Sequence, residues 1–85
     1  PSASLAIKVF DDSMEPTLKK GDYVFIEYNS PLDNKEIGLF FLNKKFYIRR
    51  FSLKRGKIVL KADNKSIEDL AIAENDDFYI VGKIL

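Results

Sequence analysis

Apolar residues recur at every second position through most of this chain, and that period belongs to β-strands. In SLAIKVF (4–10), Leu5, Ile7 and Val9 share one face while Ala6, Lys8 and Phe10 share the other. In DYVFIEY (22–28), Val24, Ile26 and Tyr28 alternate with Tyr23, Phe25 and Glu27. IGLFFL (37–42) is short and apolar throughout, as expected of a strand buried on both faces. FYIRRFSL (46–53) follows Asn43-Lys44-Lys45, a hairpin turn. KIVLKA (57–62) follows Lys54-Arg55-Gly56, a second turn whose glycine admits positive φ. DFYIVGKIL (77–85) closes the chain after the polar ENDD, where Asp76 and Asp77 predict a turn. These six strands leave room for one helical turn near residues 14–20 and another near 66–73. The expected fold is mainly β, strongly bent and mostly antiparallel, with one or two short helical turns. Residues 1–85 make a single domain, with no repeat, linker or low-complexity segment.

Composition narrows the chemistry. So short a chain needs a core of large groups, and seven Phe, four Tyr and a 46% hydrophobic content supply one. There is no Cys and no His, so disulfides, a zinc site and a Ser-His-Asp triad are excluded, and no cofactor is implied. A Cys-free chain fits a reducing, cytoplasmic setting. No apolar run reaches the roughly 18 residues of a membrane span, and PSASLAIKVF lacks the basic start of a signal peptide. A start on Pro1 rather than Met reads as part of a larger protein.

The stretch DDSMEPTLKKGDYVFI (11–26) carries the one candidate for chemistry. Pro16 limits any helix after Ser13 to about a turn, and Gly21-Asp22 then leads into the next strand. Ser13 therefore sits on a short connection, with its own N–H and that of Met14 expected to point outward. Such a place suits a nucleophile beside an oxyanion pocket built by Ser13 and Met14. It suits a capping serine equally, and capping is the commoner use. Asp11 and Asp12, just before the bend, are expected to cap backbone N–H groups.

Ser13-Met14, Pro16, Gly21-Asp22 and the apolar YVFI resemble the serine segment of the LexA-like peptidase fold. That group includes LexA, the C-terminal domains of phage CI-type repressors and, more remotely, type I signal peptidases. The strands of IGLFFLNKKFYIRRF, LKADN and FYIVGKIL extend the resemblance over nearly the whole chain. The resemblance implies a serine nucleophile at Ser13 and a neutral lysine base in a Lys-Arg/Lys-Leu motif. The matching segment here is FYIRRF, and the lysine position falls on Arg49. Arginine is a poor base, because its reference pKa lies roughly 2–3 units above that of lysine, adding about 3–5 kcal/mol to the cost of a neutral side chain. Arg50 rescues nothing, and Lys44, Lys45 and Lys54 fall in turns or at a strand end. Neither Ala-Gly nor Cys-Gly, the dipeptides cut in LexA-like self-cleavage, occurs in the chain.

The resemblance thus implies an oligomerisation domain of a phage or prophage CI-type repressor that is unable to cut itself. Its partners would be further copies of the chain, as a homodimer or higher homo-oligomer. Operator DNA would be held through an N-terminal DNA-binding domain absent here, and an antirepressor protein is a candidate inducer. Phe78, Tyr79, Ile80, Val81, Ile84 and Leu85 of the last strand are interface candidates, with core packing the competing use for half of them. Two alternatives stay open. One is an active self-cleaving domain, or an engineered Lys-to-Arg version of one. The other is direct nucleic-acid contact by the seven basic residues between Lys44 and Lys57, which are interleaved with Phe46, Tyr47 and Phe51. Six acids between Asp63 and Asp77 make the chain bipolar, which weighs against that second alternative.

Overall fold

A computed structural model describes residues 4–85; residues 1–3, on which the reading of the chain's start rests, lie outside it. Seven strands form one sheet: β1 (Ser4–Lys8), β2 (Tyr23–Tyr28), β3 (Ile37–Leu42), β4 (Lys45–Lys54), β5 (Lys57–Lys61), β6 (Leu70–Ala71) and β7 (Phe78–Ile84). Their spatial order is β1-β2-β7-β3-β4-β5-β6, and every neighbouring pair is antiparallel. The final strand is therefore inserted between β2 and β3, near the middle of the sheet.

Both tight hairpins follow from turn chemistry. Asn43 and Lys44 have φ of 49° and 72°, and Arg55 and Gly56 have 53° and 75°. Two central residues with positive φ match the right-handed twist of the strands they join. Asn and Gly tolerate that region most readily, so one tolerant residue in each turn offsets the strain at its neighbour.

Alternation divides the apolar residues between two cores. Val9, Met14, Ile26, Leu39 and Ile48 pack on one face, whereas Phe40, Phe51 and Leu60 pack on the other. Leu39 and Phe40 are adjacent on β3 yet belong to different cores, because successive side chains of a strand point to opposite faces. That explains the unbroken apolar run IGLFFL: the strand is covered on both sides. Phe40 stacks between Phe51 and Phe78, at centroid distances of 6.1 and 6.0 Å. Burying such a ring contributes about 2–3 kcal/mol. The pairing of β3 with β7 shifts register between Leu39 and Phe40, a bulge that helps bend the sheet.

Two local expectations change. Near residues 14–20 the chain makes one α-type hydrogen bond, from the Leu18 N–H to the Met14 carbonyl at 2.9 Å, and no helix forms. The helical turn expected near 66–73 is replaced by a turn closed by Ile67 N–H on the Asn64 carbonyl, then by β6. Tertiary packing decides the second case. Leu70 and Ile72 turn onto the second core, and the Ile72 N–H donates to the Ile58 carbonyl of β5. No helix among the described residues is long and apolar enough to cross a membrane.

Gly82 marks the closest approach in the sheet. A Cβ there would lie 2.5 Å from Ile26 Cγ2 and 2.8 Å from the Glu27 carbonyl oxygen. The Gly82→Ala protein is expected to lose about 1–3 kcal/mol of stability, read as a lower urea midpoint with an unchanged slope. An unchanged midpoint would mean that β2 and β7 can part without cost.

Candidate functional site

The bend that carries Ser13 is held from two sides. Within the bend, the Asp11 carboxylate accepts the Ser13 N–H at 3.1 Å and the Ser13 hydroxyl at 2.7 Å, both on Oδ1. From across the fold, the Asn64 N–H donates to the Ser13 carbonyl at 3.0 Å, and Asn64 Nδ2 donates to the Asp12 carbonyl at 3.0 Å. Ser13 is only 3% exposed and Met14 is wholly buried in the first core. The Ser13 N–H is thus turned in to Asp11 and is not free for an oxyanion, whereas the Met14 N–H donates to no acceptor among the described residues.

Strand β4 brings its middle to the serine. The Ile48 carbonyl lies 3.4 Å from Ser13 Oγ, and the Ile48 side chain packs in the same core as Met14. Arg49, the next residue, must then point to the opposite face. It is 5% exposed, and its Nη1 donates to the Glu68 carbonyl at 2.9 Å. The Leu60 carbonyl stands at 3.5 Å, too far to add much. The guanidinium lies 5.5 Å from the centre of the Tyr47 ring, a cation–π contact, and its Nε has no partner among the described residues. No hydrogen bond joins Arg49 to Ser13 among the described residues. The geometry places a serine hydroxyl on an aspartate and an arginine on backbone carbonyls, with no neutral base beside the oxygen.

Asp63 and Asn64, which sequence reasoning did not single out as site residues, tie the serine bend to β4. Arg50 holds Asp63 through Nε at 2.9 Å and Nη2 at 2.6 Å, a two-pronged pair, and its Nη1 donates to the Lys35 carbonyl at 2.6 Å. Thr17, in the serine bend, donates to Asp63 Oδ2 at 2.6 Å. The run Ala62-Asp63-Asn64 was the available signal, since polar residues at a strand end commonly anchor a neighbouring turn. Arg50 holds the Asp63 carboxyl below its ordinary range; burial opposes the shift and Thr17 adds to it.

Of the candidate interface residues, Phe78 packs on the second core, and Ile84 and Val81 belong to or pack against the first. Tyr79, Ile80 and Leu85 are exposed. The basic run does not form one surface. Lys44 and Lys45 sit at one end of the ten-residue β4, and Lys54, Arg55 and Lys57 sit at the other. Arg49 and Arg50 lie between them on opposite faces, both already engaged.

A bent antiparallel β domain with Ser-Met on a bend against its central strands defines a serine-peptidase type of fold. The chain belongs to the Peptidase S24-like family, whose sequence profile matches residues 1–85. It is 28% identical over 81 residues to a LexA repressor of Magnetococcus marinus, covering 94% of this chain and 35% of that protein. It is 27% identical over 82 residues to the 26 kDa repressor protein of Escherichia phage HK022, covering 93% and 35% respectively. The chain thus spans about a third of the length of these relatives.

A depressed carboxyl pKa stabilises the fold above the unfolded value and loses that contribution as pH falls through the folded value. Wild-type stability is therefore expected to drop below about pH 4 in part through Asp63. The Asp63→Asn protein is expected to be about 1 kcal/mol less stable at neutral pH, with a shallower loss on acidification. Urea midpoints from pH 3 to 7 measure both; parallel curves for the two proteins would remove Asp63 from the linkage.

Proposed function

We propose that this chain is the self-association domain of a phage or prophage CI-type repressor, and that it no longer cleaves itself. One observation supports the second half: the residue at the lysine position, Arg49, donates to the Glu68 carbonyl and makes no hydrogen bond to Ser13 among the described residues. A guanidinium keeps its proton even when buried, so it accepts none from a hydroxyl. The Ser13 hydroxyl donates instead to the Asp11 carboxylate. Attack on a peptide carbonyl needs that proton removed as the C–O bond forms, and no described group is matched to the task.

Self-association is supported by likeness to two repressors and by the apolar groups that the fold leaves outside its cores. Joining two DNA-binding units raises the effective concentration of the second at a two-fold operator. Operator contact is then the work of a separate domain of a longer parent protein, and an antirepressor is the inducer that suits a repressor unable to cut itself. Direct nucleic-acid contact by this domain is the weaker reading, because its basic residues are split between two ends of β4.

Sedimentation equilibrium is expected to show a reversible dimer or larger closed assembly; a strict monomer at the highest concentrations would overturn the self-association. In the longer parent protein, Arg49→Lys is expected to produce a new cleavage product on incubation at alkaline pH. Cleavage of the unmodified protein under the same conditions would contradict the loss of the base.

A further inference from the structure

A small cavity of about 80 Å³ opens between β4 and the loop that precedes β3, and its walls are basic. Arg50, Ser52 and Lys54 stand at alternate positions of β4 and so share one face. Lys61 lies directly across from Arg50 on β5. On the other flank the loop is fastened to β4. The Lys35 N–H donates to the Phe51 carbonyl at 2.9 Å, the Phe51 N–H to the Glu36 carbonyl at 2.8 Å, and Asn34 Nδ2 to the Leu53 carbonyl at 3.0 Å. These bonds bring Lys35 to the same cavity that Lys54 and Lys61 line, with Ser52 between them.

No acid lines this cavity. The charge of Arg50 is offset by Asp63, which lines a neighbouring hollow and is held there by Arg50 and Thr17. Lys35, Lys54 and Lys61 form no ion pair among the described residues. Ser52 is only 8% exposed, and its hydroxyl has no hydrogen-bond partner among the described residues. Cations gathered round one hollow repel one another and focus a positive potential on it, so an anion placed there is attracted by all of them. Three uncompensated lysines favour a dianion over a single carboxylate. Size narrows the class further. At about 30 Å³ for each water, the cavity has room for roughly two or three waters, which suits one tetrahedral oxyanion and not a whole nucleotide or a peptide segment.

We propose that the cavity walled by Lys35, Lys54 and Lys61 over Ser52 binds a phosphate group, as the free ion or as the terminal group of a phosphomonoester. The three ammonium groups and the Ser52 hydroxyl are its donors, and charge-assisted bonds of this kind are the strong ones. A phosphate held there joins the loop before β3 to β4 and β5. The site stands independently of the self-association reading.

Titration of the isotope-labelled chain with inorganic phosphate, followed by amide NMR with sodium chloride holding the ionic strength constant, tests this. Shifts at Lys35, Phe51 and Ser52 are expected to saturate, and chloride alone is expected not to reproduce them. The double change Lys54→Gln/Lys61→Gln, at exposed positions, is expected to weaken phosphate binding about tenfold or more. Ser52→Ala is expected to weaken it about threefold. Lys19→Gln/Lys20→Gln removes the same charge from the serine bend and is expected to leave binding at the wild-type level. Spectra that otherwise match wild type separate lost binding from lost folding. Phenyl phosphate is the second probe: saturable shifts at the same amides assign the site to an esterified phosphate as well, and their absence confines it to the free ion. Shifts that grow without saturating, or that survive Lys54→Gln/Lys61→Gln unchanged, would overturn the site.

Discussion

A buried guanidinium that pairs with no carboxylate among the described residues constrains the segments around it. Charge inside a protein is costly unless hydrogen bonds replace the lost water, and a permanently charged group cannot escape by losing its proton. Arg49 meets that demand through the Glu68 carbonyl and the face of Tyr47. The segment after β5 must therefore return over β4 so that Glu68 can offer its oxygen. The same return delivers Asp63 to Arg50 and Thr17, and Asn64 to the backbone of Asp12 and Ser13. One strand thus fixes the loop that fixes the serine bend.

The bend is consequently held by contacts from three segments of the chain. Ser13 is closed in by Asp11 on one side and Ile48 on the other, and its neighbour Met14 fills the first core. A nucleophile requires an exposed oxygen and a base; here Ser13 is buried and its hydroxyl donates to the Asp11 carboxylate. The capping group of this bend is Asp11, whose carboxylate accepts the Ser13 N–H.

Strand placement was legible because period-two alternation and turn residues are local signals. The residues around Gly56, Asn43 and the double-faced β3 declare themselves without any partner. What was not legible depended on contacts distant in sequence. β6 exists only because Leu70 and Ile72 find the second core, and a two-residue strand carries no periodicity of its own. The importance of Asp63 and Asn64 lies in the bend they reach, 46 and 52 residues away along the chain. The Ser13 N–H turns inward for a local reason, because the Asp11 carboxylate two residues earlier captures it. Arg49 was legible as a change of chemistry but not as a clamp, because its acceptor is a backbone carbonyl that any residue could supply.

The claim that the serine is idle can be tested on this chain directly. Exposure to a fluorophosphonate from pH 7 to 10, followed by intact-mass spectrometry, reports whether any hydroxyl is activated. The account predicts no adduct, since the Ser13 oxygen is buried and its proton stays with a carboxylate-bound hydroxyl. A single adduct mapped to Ser13 in the unmodified protein would contradict it, and would require a base that these contacts do not provide.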